Sequence, residues 1–313
     1  MKEQITSRIL MVRPSFFISN PETAADNHFQ QDIPSLTFEQ TTEKAQQEFD
    51  GFVDKLRQAG VTVYVHQDRS QPKTSDAVFP NNWVSFHEDG TVITYPMFAP
   101  SRRLEKQQEI IDEMIEGLGL EIKEQINLGK YESEGRFLES TGSLVIDRPN
   151  QIVYAAISER TDPDLVKEFA DSFKVKSILF TANQSVDSQR LPIYHTNVVM
   201  CLANDFVVIC LDSVDDESEK EILINTFQET EKEIIEISES QLECFAGNML
   251  QVKNDREEEI LVMSSQAYNA LTSEQIQKME SHCKILYSDI ETIETLGGGS
   301  ARCMMAEIFL PEK

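Results

Sequence analysis

Helix-forming and strand-forming segments alternate along this chain at nearly regular spacing, and that alternation constrains the fold more than any single residue. Apolar positions at helical spacing predict amphipathic helices near 41–59 (Phe49, Phe52, Val53, Leu56), 103–118 (Leu104, Ile111, Met114, Ile115, Leu118) and 162–173 (Leu165, Val166, Phe169, Phe173). Weaker patterns fall near 216–228 (Ile222, Leu223, Phe227) and 273–282 (Ile276, Met279). Gly60 reads as a helix stop, Asp162-Pro163 as a helix start, and Thr272-Ser273 as a cap. Each helix is followed by a β-rich segment: 61–65, 120–126, 175–180, 234–237 and 285–287. The helices recur at intervals of roughly 55 to 60 residues, which predicts a repeated supersecondary unit.

Hairpins are expected between the helices, at 83–86 with 92–95 around Asp89-Gly90, at 144–146 with 152–155 around Pro149-Asn150, and at 198–202 with 206–210 around Asn204-Asp205. No low-complexity linker divides the chain, and residues 212–221 read as a solvated helix entry, so residues 1–313 are expected to form one domain. Five strand-and-helix units in a closed arrangement would gather loops from every unit around one cleft.

The 313 residues carry 28 basic and 54 acidic side chains, a formal charge of -26, which disfavours nucleic acid and anionic membranes as partners. Their hydrophobic content of 40% suffices for a large core. Five cysteines, at 201, 210, 244, 283 and 303, are widely spaced and lack the clustering of a structural zinc site. With no secretory leader or apolar run of spanning length, a reducing cytoplasm is the expected compartment.

Two features carry chemistry. His195 precedes Thr196 and Asn197, and Gly297-Gly298-Gly299-Ser300-Ala301-Arg302-Cys303 lies between a helical and a strand-like stretch. A cysteine backed by glycines can be approached closely by a ligand, and a histidine can hold it as thiolate, so a cysteine hydrolase is the first hypothesis. A tight turn with a buried thiol is the alternative.

Six segments in register carry a resemblance: Ser75 to Asn82, Ala99 to Arg103, Leu138-Glu139-Ser140-Thr141-Gly142-Ser143, Ser158 to Thr161, His195-Thr196-Asn197 and the Cys303 loop. In that order they resemble the amidinotransferase, or guanidino-group-modifying, superfamily. The resemblance implies an α/β fold, a five-bladed pseudosymmetric α/β propeller (pentein fold). It implies Cys303 as nucleophile, His195 as general acid and base, and Glu139 as the carboxylate of the reaction centre. Arg102, or Arg103 beside it, and Arg160 match positions that hold an amino-acid α-carboxylate, a role suited to the forked guanidinium.

Asn82 stands where arginine deiminases and dimethylarginine hydrolases carry an acidic residue, and Asn197 where arginine deiminases carry the Asp of an HxD motif, leaving Asp76 and Glu139 as the carboxylates of the pocket. A guanidinium offers only donors and wants carboxylates, whereas a ureido group presents a carbonyl that an Asn NH₂ can meet. The pattern therefore resembles the citrulline ureidases, with L-citrulline as substrate and ornithine, ammonia and carbon dioxide as products. Release of citrulline from arginine or a methylated arginine is the alternative, a silent amino-acid-binding scaffold a second, and Asn81 and Asn82 as turn residues a third. The reaction asks for no metal or organic cofactor. The expected partner is a small amino acid, with neither nucleic acid nor membrane; a homodimer is allowed, and residues around Asn27, His28 and Phe29 are placed to act as a lid.

Overall fold

The computed structural model describes residues 2–24, 26–31 and 37–313. Among the described residues are five three-stranded sheets of one topology. In each, a short strand runs antiparallel to a middle strand, the chain crosses over through a helix, and an outer strand returns parallel to the middle one. Parallel neighbours require such a crossover, whereas antiparallel neighbours need only a tight turn.

The second unit pairs Val84–Phe86, Thr91–Thr94 and Glu124–Asn127, with helix Gln108–Leu118 as its crossover. The third uses Val145–Asp147, Ile152–Ala156 and Lys176–Phe180 with helix Pro163–Phe173. The fourth uses Met200–Leu202, Phe206–Ile209 and Glu233–Glu236 with helix Glu217–Glu229. The fifth uses Leu250–Lys253, Glu259–Ser264 and Lys284–Ser288, with helices Ser265–Ala270 and Ser273–His282.

The first unit is assembled from both ends of the chain. Its middle strand Arg8–Arg13 lies parallel to Thr62–Gln67 across helix Phe38–Gln58, and its short strand is Ala306–Glu307. Polar contacts tie the N-terminal residues to other units: Gln4 Nε2 donates to Ile146 O at 2.9 Å and Leu202 O at 3.4 Å, and Lys253 N donates to Thr6 O at 3.1 Å.

Local sequence explains these elements. Asp162 and Asp216 accept from the first free amides of their helices, and Thr272 with Gln275 forms a reciprocal capping box. Middle strands Ile152–Ala156 and Phe206–Ile209 are buried throughout, as their apolar runs require, while the outer strand Lys176–Phe180 is buried only at Ile178 and Phe180.

The helices and three hairpins fall where the periodicity put them, with two corrections. The segment predicted as helix from 103 starts with a 3₁₀ turn, Pro100–Glu105, and the α-helix begins only at Gln108, because Lys106 leaves helical geometry at ψ 77°. The strand expected from 120 starts at Glu124, Leu120 being bridged instead to Glu312. Hairpin Asn183–Val186 with Gln189–Pro192 was not expected; Asp187 and Ser188 turn it at φ 46° and 66°.

Glycines give a paired test. A Cβ on Gly247 would lie 2.1 Å from Val198 O, whereas one on Gly51, exposed on helix Phe38–Gln58, meets nothing within 4 Å. Gly247→Ala is expected to destabilise by roughly 1 to 3 kcal/mol, and Gly51→Ala to stabilise by about 0.5 to 1 kcal/mol. Urea midpoints check both; a Gly247→Ala midpoint at or above wild type would contradict the tight crossing.

Candidate active site

The chemistry-bearing residues sit at one recurring position, just before the short strand of each unit. Asn81 and Asn82 close the turn before Val84–Phe86, and Glu139 leads into the short helix Ser140–Ser143 before Val145–Asp147. His195 leads into helix Thr196–Val199 before Met200–Leu202, and Cys303 precedes Ala306–Glu307. Asp76, Asn82, Arg102, Glu139, Arg160, His195, Asn197 and Cys303 are all 2% exposed or less. Of these, Asp76, Asn82, Arg102, Arg160, His195 and Cys303 line one narrow cleft, with Phe79, Tyr194 and Gly297 to Gly299.

Glu139 is the hub. Its Oε2 lies 2.8 Å from His195 Nε2, and its Oε1 accepts from Phe98 N at 3.0 Å. Arg160 Nη1 and Arg102 Nη1 approach Oε2 at 3.6 and 3.8 Å. Burial pushes the carboxyl pKa up, but Arg160, His195 and Arg102 together outweigh it and hold it at about 2. Glu139 is therefore ionised and can only accept, so neutral His195 carries its proton on Nε2 and leaves Nδ1 as the basic nitrogen. That Nδ1 is buried without a hydrogen-bond partner among the described residues, and burial holds the imidazole below its usual range.

Cys303 Sγ receives Asn248 Nδ2 at 3.3 Å and Asn197 Nδ2 at 3.6 Å. The expectation that histidine holds a resting thiolate is corrected: no hydrogen bond joins His195 to Cys303 among the described residues. Burial raises the thiol pKa as it lowers that of the imidazole, so both rest neutral. Asn248, in the turn before Leu250–Lys253, was missed by the sequence reading. Its signal is Gly247-Asn248 placed before an apolar strand, as Asn81-Asn82 is placed before Trp83-Val84.

The arginines also depart from expectation. Arg102 Nη2 and Nε engage Glu105 at 3.0 and 3.1 Å, and Arg160 Nε and Nη2 engage Asp26 at 2.7 and 2.5 Å. The forked faces expected to grip a ligand are thus already occupied, because a buried guanidinium needs a paired carboxylate. Arg102 Nη1 donates to Asn82 Oδ1 at 2.9 Å. Arg103 turns away and donates to Met97 O and Phe98 O, which separates the roles of the two neighbours. Asp76 accepts from Asn20 at 2.7 Å through Oδ2, while its Oδ1 is buried without a partner among the described residues.

Asn27 of the N-terminal segment lines this cleft, and its Nδ2 donates to Gly298 O at 3.0 Å. Gly298, at φ 61°, ends helix Glu291–Gly297, and a Cβ there would strike Asn27 at 2.4 Å. Below the run, Ser300 Oγ donates to buried Glu294 at 2.5 Å, fixing the turn whose Ser300 O accepts from Cys303 N.

A family match over residues 13–310 makes the chain a hydrolase of the guanidino-group-modifying superfamily, acting on carbon–nitrogen bonds. A family model described as N,N dimethylarginine dimethylhydrolase, eukaryotic, matches residues 13–310, and the chain belongs to that family. No curated protein matches it in sequence. Among solved structures it is similar to the substrate-bound N-terminal domain of ArgZ, an arginine dihydrolase of the ornithine–ammonia cycle in cyanobacteria. That pair shares 17% identity at a TM-score of 0.70, over 97% of this chain and 98% of the other. AgrE with L-arginine gives 18% and 0.70 over 98% of this chain, which spans 40% of AgrE. Dimethylarginine dimethylaminohydrolase, as an adduct with S-methyl-L-thiocitrulline, gives 15% and 0.65, over 97% of this chain and 99% of the other. Likeness at these identities concerns the fold. Among the described residues no helix is long and apolar enough to cross a membrane.

Burial raises Glu294 to about 7 against the opposing pull of Ser300 and Ser264. With the folded pKa above the unfolded one, its favourable contribution is complete below about pH 4.5 and is lost as pH rises through about 7. Glu294→Gln is therefore expected to gain up to about 3 kcal/mol on wild type near pH 8.5, and little near pH 4.5. Urea titrations at both pH values check this; an equal gain at the two would contradict it.

Proposed function

We propose that the chain is a citrulline ureidase, folded as one closed five-bladed propeller, in which Cys303 opens the ureido group. The observation that carries the substrate assignment is the neutral amide at Asn82. Arg102 Nη1 fixes Asn82 Oδ1, so Nδ2 faces the other way; one of its hydrogens goes to Asn81 Oδ1 at 3.0 Å, and the second remains for a ligand. A methyl on Gly142 would lie 2.6 Å from Asn82 Nδ2 and 2.8 Å from His195 Nδ1, so the absent side chain lets donor and base converge. Glu139, committed to Phe98 and His195, offers little to a guanidinium.

The bidentate Asp26–Arg160 pair is the geometry that an α-carboxylate would take up on displacing Asp26.

In the reaction, His195 Nδ1 takes the Cys303 proton and sulfur bonds to the ureido carbon. Asn82 Nδ2 donates to the oxygen as negative charge develops there. The bond from carbon to the ornithine nitrogen breaks, that nitrogen receives the proton from His195, and a carbamoyl thioester remains on Cys303. Water, losing a proton to His195, displaces the thiol and leaves carbamate, which falls to ammonia and carbon dioxide. Arginine is the second reading, favoured by the open Asp76 Oδ1 as an acceptor for guanidinium.

Turnover of citrulline, arginine, dimethylarginine and agmatine, with products identified by mass, tests the assignment. Asn82→Asp is expected to lower kcat/KM for citrulline roughly tenfold to several hundredfold while improving arginine binding relative to citrulline. An unchanged preference, or wild-type protein faster on arginine, would transfer the assignment to arginine hydrolysis.

A further inference from the structure

Four of the five positions before the short strands supply Asn82, Glu139, His195 and Cys303; the fifth supplies Asn248. It is 0% exposed and touches the sulfur, although no step above uses it. Its amide orientation is fixed from both ends: Arg302 N donates to Oδ1 at 3.1 Å, and Nδ2 donates to Asn197 O at 2.9 Å. The second Nδ2 hydrogen is thereby directed at Cys303 Sγ, 3.3 Å away. Gly247 makes this approach feasible, since its missing side chain lets the turn press against Val198 O directly after Asn197.

We propose that Asn248 is a catalytic residue that steadies the Cys303 thiolate and aims its sulfur into the cleft. This rests on Cys303 being the nucleophile. Asn248 serves both protonation states: the thiol can donate to Oδ1 at 3.6 Å, and the thiolate accepts from Nδ2 at 3.3 Å. A swing of one hydrogen between these contacts keeps the sulfur in place as its proton departs to His195. The other groups acting on the sulfur are Asn197, the titratable Tyr194 and Arg302, whose guanidinium is paired to Glu307 at 2.6 Å, while the titratable His195 lines the same cleft. None of these fixes a neutral donor on the sulfur from two backbone anchors as Asn248 does.

The test uses the full-length chain carrying Cys244→Ser, which removes the one cysteine that is not buried. Iodoacetamide alkylation of Cys303 is followed by peptide mass across pH, alongside citrulline kinetics. Asn248→Ala is expected to slow alkylation near pH 8 about tenfold and move its midpoint upward, as loss of a hydrogen bond to a charged group requires. Citrulline kcat should fall with KM within about twofold. Asn248→Asp, which keeps the acceptor for Arg302 N, should slow alkylation further because its carboxylate opposes the thiolate, and it decides the matter if the alanine variant does not fold. Alkylation profiles equal to wild type in the folded variants would overturn the proposal. A wild type alkylated at Cys303 but inert toward citrulline removes the substrate assignment and leaves Asn248 supported if the variants shift. Citrulline turnover that survives complete alkylation of Cys303 overturns the nucleophile and this proposal together.

Discussion

An ionised carboxylate without access to water costs several kcal/mol unless it is paired and hydrogen-bonded, and Glu139 is in that situation at 0% exposure. Its compensation comes from four directions: the Phe98 amide, His195 Nε2, and the guanidinium groups of Arg102 and Arg160. Each of those then needs its own arrangement. Arg160 draws Asp26 on the N-terminal segment over the cleft, Arg102 draws Glu105 and fixes the Asn82 amide, and His195 is left with one tautomer and one basic nitrogen. The positions of Asp26, of the His195 imidazole and of the Asn82 amide, the base and oxygen donor of the proposed reaction, thus depend on one buried charge.

The sheets explain how such distant residues meet. Each unit enters its short strand from the same end, so residues 82, 139, 195, 248 and 303 are brought to one place although they are dispersed along the chain. A tight turn or one helical turn carries each, and glycine appears where backbones or rings must approach: Gly142 under His195 and Asn82, Gly247 against Val198 O, and Gly299 with a would-be Cβ 3.4 Å from Cys303 Cβ. Burial disfavours charge on both the sulfur and the imidazole and outweighs the pull of Glu139 toward imidazolium, so both rest uncharged, and in the proposed reaction the proton moves between them. A neutral ureido group suits this arrangement because it adds no charge of its own.

Much of this was legible in the sequence, for a physical reason: amphipathic helices with side-chain caps, such as Pro163–Phe173 behind Asp162, are dictated locally. Motif register brought out Cys303, His195, Glu139 and the Arg102 of the Arg102-Arg103 pair that faces the cleft. The first unit was harder to see, because Arg8–Arg13 finds its antiparallel partner at 306–307, a pairing no local window contains. Asn248 was hidden because Gln251 and Lys253 break the apolar run of its strand and its hairpin turn is a run of charged residues. Asp26 and Glu105 escaped for another reason, since a surface-like acidic residue gives no sign in sequence that folding will set it beside a buried guanidinium.

The central claim is that Cys303 forms a covalent bond to the carbon of a neutral ureido group. Acid quenching during steady-state citrulline turnover, followed by peptide mass analysis, reads that bond directly. The account predicts a carbamoyl group on the Cys303 peptide, absent when the enzyme is quenched before substrate is added. An unmodified Cys303 peptide throughout turnover, or an adduct that forms only from arginine, would contradict it.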